Sequence, residues 1–162
     1  MLRLCALLFL TVASPLSAKD SLGIFGQWGT FRDADPARCY AIAAAEPSKA
    51  RVDFAAFASV ANWPSRQVRS QVHFRLSRKV SKTPWLRLVI GGETFNLTGS
   101  SSDAWAQDAK GDAAIIAAMR AAGSMSISAT DASGNRFTDR YSLEGAATAV
   151  DAAQVGCTRR GR

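Results

Sequence analysis

Alternation of apolar and polar side chains is the strongest signal along this chain, and it predicts strands. In Gln71–Ser77, Val72, Phe74 and Leu76 share one face, while His73 and Arg75 share the other. Trp85–Ile90 puts Leu86, Leu88 and Ile90 together, and Glu93–Thr98 returns with Phe95 and Leu97 inward. Between them Gly91-Gly92 supplies two residues that tolerate positive φ, as a tight hairpin requires. Ser124–Thr130 alternates again, Asp131–Asn135 is a turn cluster, and Arg136–Tyr141 pairs back. Gln27–Arg32, Arg38–Ala43 and Phe57–Trp63 are weaker strand segments, and Ser100-Ser101-Ser102 reads as a loop. Short strands joined by hairpins at this spacing predict an antiparallel β-sandwich or barrel.

Two stretches switch to helical spacing. From about Asp112 to Ala122, Ile115, Ile116 and Met119 fall on one face, with Asp112 near the start and Gly123 as the stop. From about Gly145 to Val155, Leu143, Ala146, Ala147, Val150 and Cys157 lie near one stripe. That stripe is mostly alanine, so this helix should pack closely and carry Cys157 toward the body of the fold.

The N-terminus has a different grammar. Arg3 precedes the apolar run Leu4–Val12, then come Pro15 and small residues up to Ala18, before Lys19-Asp20. Those are the three regions of a secretory signal, and the run is too short to span a bilayer. The expected division is a signal peptide over 1–18 and a single domain over 19–162, a buried N-terminal helix being the alternative. No later stretch approaches membrane length, so no transmembrane segment is expected after processing. Export changes the meaning of the cysteines. Cys5 leaves with the leader, and Cys39 and Cys157 remain. In an oxidising compartment two thiols are expected to pair, closing the start of the domain onto its end; two free buried thiols are the alternative.

The formal charge is +7. In an envelope such a charge attracts anionic lipid headgroups or acidic polysaccharide, although solubility alone also accounts for it. The basic residues are spread along the chain, apart from Arg75, Arg78, Lys79 and Lys82 and the tail Arg159, Arg160 and Arg162.

Candidate chemistry is sparse. His73 is the sole histidine and lacks a local nucleophile or orienting acid, so no catalytic residue is assigned. One histidine and no C-x-x-C leave no usual zinc set, and no cofactor or metal site is expected. Gly99–Asp103 lacks the second glycine of a nucleophile elbow. Asp103, Asp108 and Asp112 are explained by helix capping and the helix dipole. Phe25, Trp28, Phe31, Trp63, Trp85 and Trp105 could line a ligand groove, but core packing is the expected role. Export and the absence of a binding motif argue against nucleic acid.

Several segments in order resemble one family. Trp28-x-x-Phe31 followed by Arg38-Cys39-Tyr40-Ala41-Ile42 is similar to the opening of the invasion-associated locus B proteins. Phe95-x-Leu97 with Ala104-Trp105, and Ile115–Arg120 with Gly123, continue the match. The end, Tyr141-Ser142-Leu143-x-Gly145–Ala149 closing on Cys157, carries it most strongly. The resemblance covers nearly all of 19–162. It implies an immunoglobulin-like antiparallel β-sandwich with two added α-helices, a Gram-negative envelope location and no known enzymatic activity. Of site residues, only the cysteine pair carries over, to Cys39 and Cys157. The expected function is a non-enzymatic periplasmic or envelope-associated binding module. Its expected partner is an envelope protein or an anionic envelope surface, met by a patch containing His73, Arg75 and Arg78. The rival expectation is a cell-envelope hydrolase with an unfamiliar site around His73.

Overall fold

A computed structural model describes residues 19–82 and 84–158. The expected signal peptide, including Cys5, and the basic tail from Arg159 lie outside the described residues. Among the described residues ten strands form one antiparallel sheet. They are β1 (Asp20–Phe25), β2 (Trp28–Asp33), β3 (Arg38–Ala44), β4 (Phe57–Trp63), β5 (Val68–Arg75), β6 (Leu86–Ile90), β7 (Glu93–Ser100), β8 (Asp103–Ala106), β9 (Ser124–Thr130) and β10 (Arg136–Ser142). Their order across the sheet is β1-β2-β3-β4-β5-β8-β7-β6-β9-β10. The fold is mainly β, as expected, with helices α1 (Ala109–Ala121) and α2 (Ala146–Thr158).

The period-2 pattern does what it should. Val72, Phe74 and Leu76 are buried, as are Leu86, Leu88, Ile90, Leu97, Met125, Ile127 and Ala129. Gly91 and Gly92 take φ +56 and +91 in the β6–β7 turn, where a side chain would be strained. At the β9–β10 turn the Asp131 carboxylate accepts from Ser133 N and Asn135 N at 2.9 Å each. Two strands escaped the alternation. Strand β1 pairs only with β2 and is interrupted by a register shift between Ser21 and Gly23. Strand β8 is four residues long, and its hairpin turns on Ser101 at φ +56, within the expected serine loop.

The sheet curls until its last strand faces its first half. Trp28, fully buried, donates from Nε1 to the Ser142 carbonyl at 2.9 Å. Glu46 N donates to Arg140 O at 2.8 Å, and the Phe74 and Tyr141 rings meet at 6.1 Å. Between these layers lies the core, closed by α2 across β1–β4 and α1 against β5–β8. Helix α1 buries Ile115, Ile116 and Met119, as its spacing predicts, but starts three residues early because Asp108 caps it, accepting from Gly111 N at 2.7 Å. Asp112 does a different task from the capping expected of it. It accepts from Val72 N at 2.8 Å, just where β8 ends and leaves β5 without a partner. Helix α2 buries Ala146, Ala149, Val150 and Ala153. Those alanines let it sit close enough for Thr30 Oγ1 to donate to the Ala149 carbonyl at 3.0 Å. Cys39 and Cys157 are joined, with Cα atoms 5.6 Å apart. No helix among the described residues is long and apolar enough to cross a membrane.

Candidate functional site: the outer face of the sheet

Strand alternation sends the other half of each side-chain set outward, and cross-strand register assembles them into one surface. Phe31 stands opposite Tyr40, Tyr40 opposite Ala61, and Ala61 opposite Gln71. One step along, Gly29, Ile42, Ser59, His73 and Trp105 form a parallel row. The Phe31 ring folds over Gly29, and a Cβ there would lie 2.7 Å from it, so any side chain at 29 would displace that ring.

At one end of this face aromatic rings and cations alternate. Lys19 Nζ donates to the Tyr40 hydroxyl at 3.3 Å and stands 6.0 Å from its ring centre. The Arg38 guanidinium lies 4.5 Å from the Tyr40 centre and 5.2 Å from that of Trp63, and Arg66 lies 4.9 Å from Trp63 on its other contact. Each such contact is worth about 0.5–1 kcal/mol when exposed. Arg38 is also held by Asp33 at 2.7 Å. These contacts bury Tyr40 to 6% exposure although it points away from the core.

At the other end sits His73. Its ring stands between Phe57, 5.7 Å away edge-on, and Trp105, 5.2 Å away. Nε2 meets Asp103 Oδ1 at 2.9 Å, while Asp103 Oδ2 accepts from Arg75 Nη1 at 3.1 Å. Arg75 further stacks over Phe54 at 4.9 Å. The sequence-predicted row of His73 and Arg75 is therefore present, half-buried and bridged by one carboxylate. Arg78 is not part of it. Its Nη1 donates to Asp131 Oδ2 at 3.2 Å, Nε donates to the Arg51 carbonyl at 2.9 Å, and its plane covers Phe137, leaving the side chain 12% exposed. The chain leaves the β5 ladder after Arg75, so alternation no longer dictates where position 78 points.

Asp103 does not cap a helix as expected but lies on β8, a strand the alternation did not reveal, and the Lys19–Tyr40–Arg38–Trp63–Arg66 series was not foreseen. The cue for the latter was an arginine near an aromatic in two places, Arg38 by Tyr40 and Arg66 by Trp63, readable only once β3 and the β4–β5 turn are adjacent. Of the six aromatics weighed earlier, Trp28 is core, Phe25, Phe31, Trp63 and Trp105 are half-buried, and Trp85 is exposed with Arg136 over its ring at 5.6 Å.

Chemically this face can stack planar or apolar groups on its rings and neutralise anions with its cations. His73 is oriented by an acid, but Ser59, its cross-strand neighbour, donates to the His73 carbonyl oxygen at 3.4 Å and not to the ring. Among the described residues no three His, Cys, Asp or Glu side chains gather as a metal site would require. The chain matches no family model, and neither curated proteins nor solved structures give a significant match.

Proposed function

We propose that this chain is an exported, non-enzymatic binding module of the invasion-associated locus B kind, working in the periplasm or envelope of a Gram-negative bacterium. Its curled sheet is read as the two facing layers of an immunoglobulin-like sandwich. The partner it meets is an anionic envelope surface, and the meeting place is the outer face. The observation that carries this is the unbroken series of rings and cations from Lys19 to Arg66, in a chain of charge +7. The joined Cys39 and Cys157 support residence in an oxidising compartment.

Co-sedimentation tests the reading. The processed protein should bind vesicles containing phosphatidylglycerol, and less so as salt rises. Arg38→Glu combined with Arg66→Glu should weaken binding roughly tenfold or more, at about 1 kcal/mol per basic residue near an anionic surface. Equal recovery on zwitterionic vesicles, or none on either, would remove the anionic surface as partner. The hydrolase reading draws on the His73–Asp103 contact alone. Release of soluble fragments from purified cell wall by the wild type, and not by His73→Ala, would favour it instead.

A further inference from the structure

A second site lies away from the outer face. Strands β4 and β5 slip register between Ala61 and Trp63, and the chain turns through Pro64–Arg66 before β5 begins. The slip opens a groove of about 770 Å³ between this turn and the last turn of α2. That volume lies within the usual range for small-ligand sites. Two non-glycine residues on its rim, Gln67 and Ser70, sit in the left-handed region at φ +55 and +56. Such conformations cost on the order of 1–3 kcal/mol each and cluster at ligand clamps.

The hydrogen-bond inventory in the groove is incomplete in a specific way. Asn62 is 7% exposed and lines the groove. Its Oδ1 accepts from Ser70 N at 3.0 Å, but its Nδ2 is buried with no partner among the described residues. A stranded buried donor costs about 1–3 kcal/mol, so a small shift of the Asn62 side chain that brings Nδ2 to an acceptor oxygen in the groove recovers that much. Beside it Gln154 Nε2 donates to Ser70 Oγ at 2.9 Å, which leaves the Ser70 hydroxyl proton and the Gln154 carbonyl to face a ligand. Val68, Val155 and Pro64 supply an aliphatic wall, and Val155 is 48% exposed there. Among the described residues no carboxylate lines the groove, and Arg69 is its one charged residue.

The ligand this set describes offers one carbonyl oxygen beside a small apolar group, further hydroxyls, and no positive charge. An acetamido group on a sugar ring is that combination: its oxygen meets Asn62 Nδ2, its methyl meets the aliphatic wall, and ring hydroxyls meet Ser70 and Gln154. We propose that the groove is a binding site for an N-acetylated amino sugar within a glycan.

The test is amide-resolved NMR titration of the processed protein with chitotriose, cellotriose and N-acetyl-alanyl-alanine. Chitotriose should shift the Ser70, Gln154 and Thr158 amides. Cellotriose has the same hydroxyls without the acetamide and should bind about tenfold more weakly or worse, since it leaves the Asn62 donor unpaired. Asn62→Asp keeps the acceptor for Ser70 N but replaces the donor, and should cost about tenfold in chitotriose affinity. If that variant does not fold, Gln154→Ala, on the last turns of α2, carries the test and should weaken binding by several-fold up to about tenfold. Equal affinity for cellotriose, tighter binding of the acetylated peptide, no shift with chitotriose, or an unchanged affinity in Gln154→Ala would each overturn the proposal.

Discussion

Asp139 points from β10 into the core at 6% exposure and accepts from Ser77 N at 2.9 Å. Burial raises its carboxyl above the ordinary range, and the Ser77 hydrogen bond only partly offsets that. Next to it the Tyr141 phenol is buried with no partner among the described residues and is pushed far above its usual value, by burial first and by the Asp139 charge second. The sign of the resulting pH dependence is set by proton affinity. A folded state that holds this proton more tightly than the unfolded chain is stabilised at low pH, and that contribution is lost as pH rises through the raised value. Asp139→Asn keeps an oxygen for Ser77 N and removes the buried charge, so its Tm at pH 8 should match or exceed that of the wild type, with a smaller fall between pH 4 and 8. Asp139→Ala strands the Ser77 amide and should lose about 1–3 kcal/mol in chemical denaturation. None of this is legible in the alternation Arg136–Tyr141, which places an aspartate between two core aromatics without saying what meets it.

Elements show a sharper division. Strands β5, β6, β7, β9 and β10 and both helices follow from periodicity, because each buries one face and the pattern records which. Strand β1 carries no alternation to read: its bulge and exposed Ile24 break the pattern, and it exists because β2 offers an edge. The start of α2 depends on Gly145, whose φ is +83 and whose added Cβ would fall 1.9 Å from the Phe25 carbonyl oxygen. Both the strain and the backbone clash act against any side chain there, so Gly145→Ala should destabilise by more than about 1 kcal/mol and weaken the link between α2 and the β1–β2 turn. Asp108→Ala removes the α1 cap and should cost about 0.5–2 kcal/mol by urea denaturation. The Arg120–Asp151 pair that joins the two helices is exposed. Hydrogen bonding to Arg120 holds Asp151 below the usual carboxylate range, yet such a surface pair contributes at most about 1 kcal/mol.

For the whole molecule the decisive link is the bond between Cys39 on β3 and Cys157 near the end of α2, closing 118 positions of chain. Replacing both by serine should lower stability by about 2–5 kcal/mol, most of it through a less constrained unfolded state, measured as a drop in Tm and in denaturant midpoint. A chain starting at Lys19, whose only cysteines are Cys39 and Cys157, should take up no alkylating label until it is reduced. The sequence by itself determined the mainly β architecture and the two helices, because burial periodicity is local, and it offered Cys39 and Cys157 as the expected pair, which the structure joins. Only the tertiary structure decided that the sheet curls back on itself, that Asp103 bridges His73 and Arg75 while Arg78 turns away, and that an amide donor is stranded beside α2. Those facts depend on which strands become neighbours and where the ladder slips. Cross-strand contacts are made between residues far apart in the chain, and no local pattern encodes them.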